Sequence, residues 1–262
     1  MITALDHGSL QGRSPIAETL TLSDQVRRHL LEMMTTGLLR PGDRINEAGL
    51  ARRLGISRNP IREAVSGLAE RGYLVALPRR GHCLRRFAIE DVEDIFAFRT
   101  CVESFAIRQA MPRIGKTDLV SLEAILGEMI AAAETNRVGD VRQWDLTFHR
   151  RLCEMSNNRQ TLRAYDGIET EISMLIACVD LEQESLMDSA LIHVPIVDAL
   201  RLGDVDAAVL TMERHIASTW ADVRDIYKKV SLAHPDGAAP LPTTRPPARK
   251  STPILKQREL VE

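Results

Sequence analysis

At 262 residues the chain has room for two domains, each with its own core. Aromatic residues make up only 4% of it, while Leu, Ala, Ile and Arg are plentiful, a composition that suits helices more than a β-sandwich. No apolar run approaches the roughly 20 residues needed to span a bilayer and no signal-peptide pattern is visible, which argues against a membrane protein and predicts a cytoplasmic one.

The four cysteines, Cys83, Cys101, Cys153 and Cys178, are scattered without a CxxC pair. They read as free thiols of a reducing compartment rather than as disulfides or a zinc ribbon. The net charge of -2 hides an asymmetry. From Ser23 to Arg86 there are 13 Lys/Arg against 6 Asp/Glu, a surplus of +7; from Phe87 to Val230 the count is 15 against 25, a deficit of -10. A basic module followed by an acidic one predicts that only the first meets a polyanion.

In chain order, residues 1–20 are polar and aperiodic and read as a flexible arm. Thr21 with Asp24 has the spacing of a capping box, opening a helix through Val26, Leu30, Met33 and Met34 that closes at Gly37. Pro41-Gly42 turns the chain into LARRLGISRNPIREA, residues 50–64. Here Leu50, Ala51 and Leu54 form one buried face, Gly55 suits a left-handed stop, and Ser57 suits the N-cap of a second helix. Pro60 is tolerated in that helix's first turn, and Ile61, Ala64, Val65 and Leu68 supply its apolar stripe. Arg58, Asn59 and Arg62 remain exposed at its start, where a recognition helix meets base edges; Arg pairs with guanine and Asn with adenine in the major groove. Two short strand-like runs, YLVAL and HCLRR, then flank Pro78-Arg79-Arg80-Gly81, a hairpin with a basic tip.

These features make a winged helix-turn-helix over residues 21–86. The run from Thr36 to Gly81, with its GLLRPG turn, LARRLGISR, PIREA and basic-Gly wing, resembles the DNA-binding domain of the GntR family of bacterial transcription regulators. The resemblance implies DNA contacts from Arg58, Arg62 and the wing around Arg80 and Gly81, to which the helix reading above adds Asn59. Where some relatives carry a further Arg, this chain reads Asn46-Glu47-Ala48-Gly49.

From residue 87 to 230 the apolar spacing is helical, and six helices are predicted: 91–110, 117–136, 140–155, 160–179, about 185–202, and 204–227. Gly139-Asp140 and Gly203-Asp204 read as paired stop and start signals. Pro195 either kinks the fifth helix or marks where it begins. Short joints make neighbouring helices antiparallel. The predicted fold is therefore mainly α, a winged helix-turn-helix followed by an antiparallel helical bundle. Residues 231–262 are rich in Pro and basic side chains and read as a disordered tail.

Asp145 and His149 lie one turn apart on a face shared with Phe148 and Leu152, pointing into the bundle. His215 shares a face with Ala208, Met212 and Thr219, and His193 opens the preceding helix. The residues alone leave two readings: hydrogen-bonded core side chains, or a centre of three imidazoles and a carboxylate for zinc, nickel or manganese. FRTCVE, WDLTFHRRL, IHVPIVDALRLGD and MERHI resemble the FCD effector domain found behind many GntR-type readers. That resemblance implies a divalent metal, zinc first, on Asp145, His149, His193 and His215. Six helices are closer to the VanR-like branch than to the longer FadR-like one. Arg99, at a position the family keeps basic, either grips an anionic effector or pairs with an acid of the bundle.

The leading expectation is a repressor that binds a pseudo-palindromic operator as a homodimer and answers to a small carboxylate effector. One rival is a metal-dependent hydrolase tethered to nucleic acid, since three His and an Asp can activate water. No general base, nucleophile elbow or P-loop accompanies the cluster. A second rival is a bundle that only dimerises around a structural metal.

Overall fold

The computed structural model describes residues 20–179 and 185–233. Its first part contains α1 (Leu22–Thr35), α2 (Glu47–Leu54) and α3 (Arg58–Glu70), followed by strands β1 (Leu74–Leu77) and β2 (Gly81–Leu84). Thr21 and Asp24 close the expected capping box: Asp24 N–H donates to Thr21 Oγ1 at 3.1 Å and Thr21 N–H to Asp24 Oδ2 at 3.2 Å. The stripe Val26, Leu30 and Met34 is buried with Ile61, Ala64, Val65 and Leu68 of α3, and α1 packs against α3.

Asn46 caps α2 by accepting from Gly49 N–H at 2.8 Å, and Gly55 ends it at φ 67°. Side chains with a Cβ rarely adopt that conformation. Ser57 occupies the N-cap position of α3 in extended geometry, but its side chain makes no capping hydrogen bond. β1 and β2 pair antiparallel with Leu77 opposite Gly81, so Pro78, Arg79 and Arg80 form the tip of the wing. A bridge from Arg44 to Cys83 fastens the hairpin to the segment before α2.

The second part is the bundle: α4 (Ile89–Ala110), α5 (Lys116–Glu134), α6 (Val138–Met155), α7 (Arg159–Val179), α8 (Leu186–Leu191), α9 (Val194–Leu202) and α10 (Val205–Ala233). The short turn Met111–Arg113 joins α4 to α5. Two local expectations are corrected. Gly139-Asp140 does not start α6. The chain reverses earlier, at Asn136 with φ 56°, because Asn tolerates the left-handed conformation; Asp140 sits in the first turn and pairs with Arg137. The predicted fifth helix is two, α8 and α9, separated at Ile192–His193 with Pro195 in the first turn of α9. The bundle thus has seven helices among the described residues, and helix count alone does not separate the family branches. Gly203-Asp204 behaves as expected, with Gly203 at φ 71° and Asp204 Oδ1 accepting from Ala207 N–H at 2.9 Å.

Buried apolar residues run without a break from the reader into the bundle. At the junction Arg142 of α6 donates to the carbonyl oxygen of Thr35, the last residue of α1, and Ser173 Oγ of α7 lies 3.4 Å from the same oxygen. Arg85, just after β2, bridges Asp91 at 2.8 Å and Glu171 at 3.6 Å. A cleft of about 210 Å³ opens beside this junction, lined by Thr35, Thr36, Arg142, Gln143, Glu169 and Ser173 among others. Cys83, Cys101 and Cys153 are free thiols, and the side chain of Cys178 lies outside the described residues. So do residues 1–19 of the expected arm and 234–262 of the expected tail, while α10 continues to Ala233. No described helix is long and apolar enough to cross a membrane.

Candidate metal centre and nucleic-acid interface

Three elements deliver the four candidate ligands to one point. Asp145 and His149 are one turn apart on α6, His193 is the residue from which α9 starts, and His215 lies on α10. One donor atom from each falls within 4.8 Å of all the others. His149 Nε2 is 3.0 Å from His215 Nε2 and 3.4 Å from His193 Nε2; Asp145 Oδ1 is 3.1 Å from His193 Nε2 and 3.8 Å from His149 Nε2. The three imidazoles are buried, and Phe148 packs edge-on against His193 with ring centroids 5.0 Å apart.

The far sides of the rings decide how these atoms read. His149 Nδ1–H donates to Glu103 Oε2 at 2.5 Å, and His193 Nδ1–H donates to the carbonyls of Ser189 at 3.1 Å and Ala190 at 3.3 Å. A neutral imidazole that donates through Nδ1 presents a lone pair at Nε2. Two such lone pairs and a carboxylate oxygen therefore face one another, an arrangement that repels itself unless a cation stands between them. Burial disfavours the charged forms of His149 and His215. It lowers the pKa of His149 despite Glu103 and holds that of His215 well below the usual imidazole range, with His193, His149 and Arg99 adding to the fall. Burial also opposes ionisation of Asp145, yet its polar surroundings, His193 first, then His149 and Arg99, hold it well below the usual carboxylate range. Neutral imidazoles and an ionised carboxylate are the forms that ligate a divalent ion, so the donor set fits a metal. The outward hydrogen bonds of His149 and His193 are of the kind that orient metal-bound imidazoles.

Beside this cluster, Arg99 of α4 is fully buried. Its Nε–H donates to Glu103 Oε1 at 2.7 Å, the ion pair that was one of its two predicted roles. Its Nη1 and Nη2 have no hydrogen-bond partner, nor do Asp145 Oδ2, Tyr165 Oη and His215 Nδ1. Sequence reasoning missed Glu103 and Tyr165. Glu103 stands four residues after Arg99, spacing that reads as an ordinary helical ion pair, and nothing local reports that His149 lies across from it.

In the reader, Arg58, Asn59 and Arg62 are exposed at the start of α3, and Arg80 and Gly81 are exposed at the wing. Arg62 lies 3.6 Å from Glu47 with two-thirds of its side chain open to solvent, a weak surface pair that leaves the guanidinium available. Gly81, at φ 77°, lets the tip turn back into β2.

Residues 22–83 match the bacterial regulatory proteins of the gntR family, and residues 94–218 match the FCD domain. The probable D-xylose utilization operon transcriptional repressor of Paenarthrobacter nicotinovorans is 31% identical over 76% of this chain and 87% of its own length. The chain belongs to the GntR family of transcriptional regulators.

The Nta operon transcriptional regulator of Aminobacter aminovorans is 29% identical to this GntR regulator over 72% of the chain and 88% of its own. Among solved structures, E. coli McbR/YncC superposes with a TM-score of 0.69 at 19% identity, covering 81% of this chain and 100% of that one. A GntR regulator from Rhodococcus sp. RHA1 gives 0.67 at 22% identity, over 77% and 96%. At such identities the likeness speaks to the fold. The family and these relatives are transcriptional regulators, not enzymes, and the hydrolase alternative is set aside on that ground.

Proposed function

We propose that this GntR regulator is a cytoplasmic repressor that binds a pseudo-palindromic operator as a homodimer and releases it when a small carboxylate reaches the bundle. Arg58, Asn59 and Arg62 would read bases in the major groove, while Arg80 and the backbone at Gly81 would hold the flanking groove or phosphates. Asp145, His149, His193 and His215 would hold a divalent ion, zinc first and nickel or manganese as alternatives, leaving a further coordination position for the effector. The ion would supply Lewis-acid attraction for a carboxylate oxygen. Domain limits near residues 21–86 and 87–230 belong to the same proposal.

The observation that carries the effector reading is the orphaned fork of Arg99. A buried guanidinium with two unpartnered nitrogens is costly, and a carboxylate satisfies both with parallel charge-assisted hydrogen bonds. Tyr165 Oη, also buried without a partner, offers a further hydrogen bond. A purely structural metal in a dimerisation bundle would give Arg99 no reason to keep those nitrogens open.

A bound ligand acts only if it prefers one arrangement of the readers over another. The link is short: Arg142, which holds the C-terminal carbonyl of α1, precedes Asp145 by one turn of α6. Calorimetric titration with a panel of small carboxylates, on metal-loaded and chelated protein, tests the proposal. Carboxylate binding that needs both the metal and Arg99, and that shifts operator affinity, is the expected result. Carboxylates binding equally well to Arg99→Ala would overturn it.

A further inference from the structure

The face of α4 opposite the metal cluster is left open, although α4 lies at the centre of the bundle. Arg99, Val102, Glu103 and Ala106 point inward, whereas Asp94, Ala97, Phe98, Cys101, Phe105 and Arg108 form an exposed stripe at three- and four-residue spacing. Phe98 and Phe105 are each 46% exposed, large rings on a helix that has buried its other face. The neighbouring helix α10 runs antiparallel to α4, as the pairs Arg108–Asp206 and Ser104–Glu213 show. It extends the patch with Leu210, 47% exposed, and the exposed Ala217. A contiguous apolar strip rimmed by charge marks an interaction surface.

The order of residues along the strip identifies what fits it. Cys101 stands at its centre. Asp94 lies two helical turns before Cys101 and Arg108 two turns after it. Ala97 lies as far before Cys101 as Phe105 lies after it. Laid antiparallel on itself about a dyad at Cys101, the helix sets Asp94 level with Arg108 of the copy. The Phe105 ring then falls over the small side chain of Ala97, and Phe98 falls level with Ser104. Both ends repeat the same contacts, as a two-fold interface requires. An unrelated partner would have no reason to match this inversion of charge and size. Arg108 already meets Asp206 at 2.9 Å, but both side chains are at least half exposed, so that pair leaves Arg108 able to reach a second carboxylate.

We infer that the exposed α4 stripe, Asp94 to Arg108, is the homodimer interface, pairing antiparallel with a second copy about an axis through Cys101. The inference rests on the dimer of the proposed function and adds the surface and the register. Two such bundles meeting at α4 would carry their readers as one body.

The test measures the solution mass of the full chain by light scattering, together with bismaleimide cross-linking. Wild type should be a dimer that cross-links through Cys101, with Cys101→Ser losing the covalent species. Phe98→Glu and Phe105→Glu should each become monomers with unchanged circular dichroism. Asp94→Arg should weaken the dimer at least tenfold, and Asp94→Arg with Arg108→Asp should restore it in part, since the swap re-forms the pair only in this register. A wild-type dimer that survives both Phe substitutions and does not cross-link at Cys101 overturns the interface while leaving dimerisation intact. A monomeric wild type removes the dimer and this surface together. Monomeric Phe variants without charge-swap recovery overturn the antiparallel register.

Discussion

Glu103→Gln tests the geometry of the bundle interior most sharply, because it removes one charge while nearly preserving shape. Glu103 is fully buried and accepts from Arg99 Nε at 2.7 Å and from His149 Nδ1 at 2.5 Å. Burial works against its ionisation, but His149 and Arg99 hold its carboxyl below the usual range, so it is a carboxylate at neutral pH. The Gln carbonyl oxygen can still accept one N–H, leaving Arg99 as a buried cation that has lost its counter-charge. Removing one partner of a buried pair costs about 3–5 kcal/mol, against about 1–3 kcal/mol for a neutral hydrogen bond. For a chain of this size, at about 2–4 °C per kcal/mol, the melting temperature should fall by roughly 6–20 °C. Metal affinity should fall as well, by about 10–100-fold, since outer partners of a ligating imidazole contribute on that scale. Scanning calorimetry of chelated protein reads the first effect, and competition with a chromophoric chelator reads the second. A chelated variant that melts within about a degree of wild type, with unchanged metal affinity, would refute the carboxylate's dual role.

Arg62→Ala should weaken specific operator binding by about 1–3 kcal/mol in an anisotropy titration if its guanidinium makes a bidentate base contact; unchanged operator affinity would remove it from the reading set. Arg80→Ala should instead weaken specific and non-specific DNA alike and reduce the salt dependence by about one phosphate contact, read from titrations at several salt concentrations. His215→Ala should lower bound metal, measured by elemental analysis, and abolish the stabilisation that added metal gives wild type, about 2.7 kcal/mol at a hundredfold excess over Kd. Full metal occupancy in that variant would place the site elsewhere. Arg142→Ala should leave metal and carboxylate affinity intact while shrinking the effect of carboxylate on operator affinity; an undiminished effect would rule out the link through Thr35.

The parts of the molecule legible from sequence are those governed by local chemistry. The Thr21–Asp24 box, the left-handed stops at Gly55 and Gly203, and the stripes of α1 and α3 each follow from a few consecutive residues. Asp145 and His149 were legible as a pair because one turn of helix joins them. The Gly139-Asp140 signal failed because an equally capable residue, Asn136, took the left-handed position three residues earlier. Glu103 and Tyr165 stayed hidden because their meaning comes from α6 and α4 lying across from them, a relation that no spacing within one helix encodes. The hold of Arg142 on Thr35 is of the same kind, spanning reader and bundle.

That contact also bears on how one domain can sense for the other. α6 carries, within two turns, the residue that holds the end of α1 and two of the four candidate metal ligands. The end of α1 exposes unsatisfied carbonyls, and a guanidinium there is favoured both by hydrogen bonding and by the negative end of the helix dipole. A small rotation or slide of α6, driven by a ligand that draws Asp145 or His149 toward it, would move Arg142 with them, because a single helical turn is stiff. Burial is continuous across the junction, so the reader would shift as a body instead of absorbing the motion. Only a ligand that binds one position of α6 better than the other can exploit this path. A carboxylate spanning the metal and Arg99 would meet that condition, since it ties α4 to α6 across the unpartnered Arg99 nitrogens and Asp145 Oδ2.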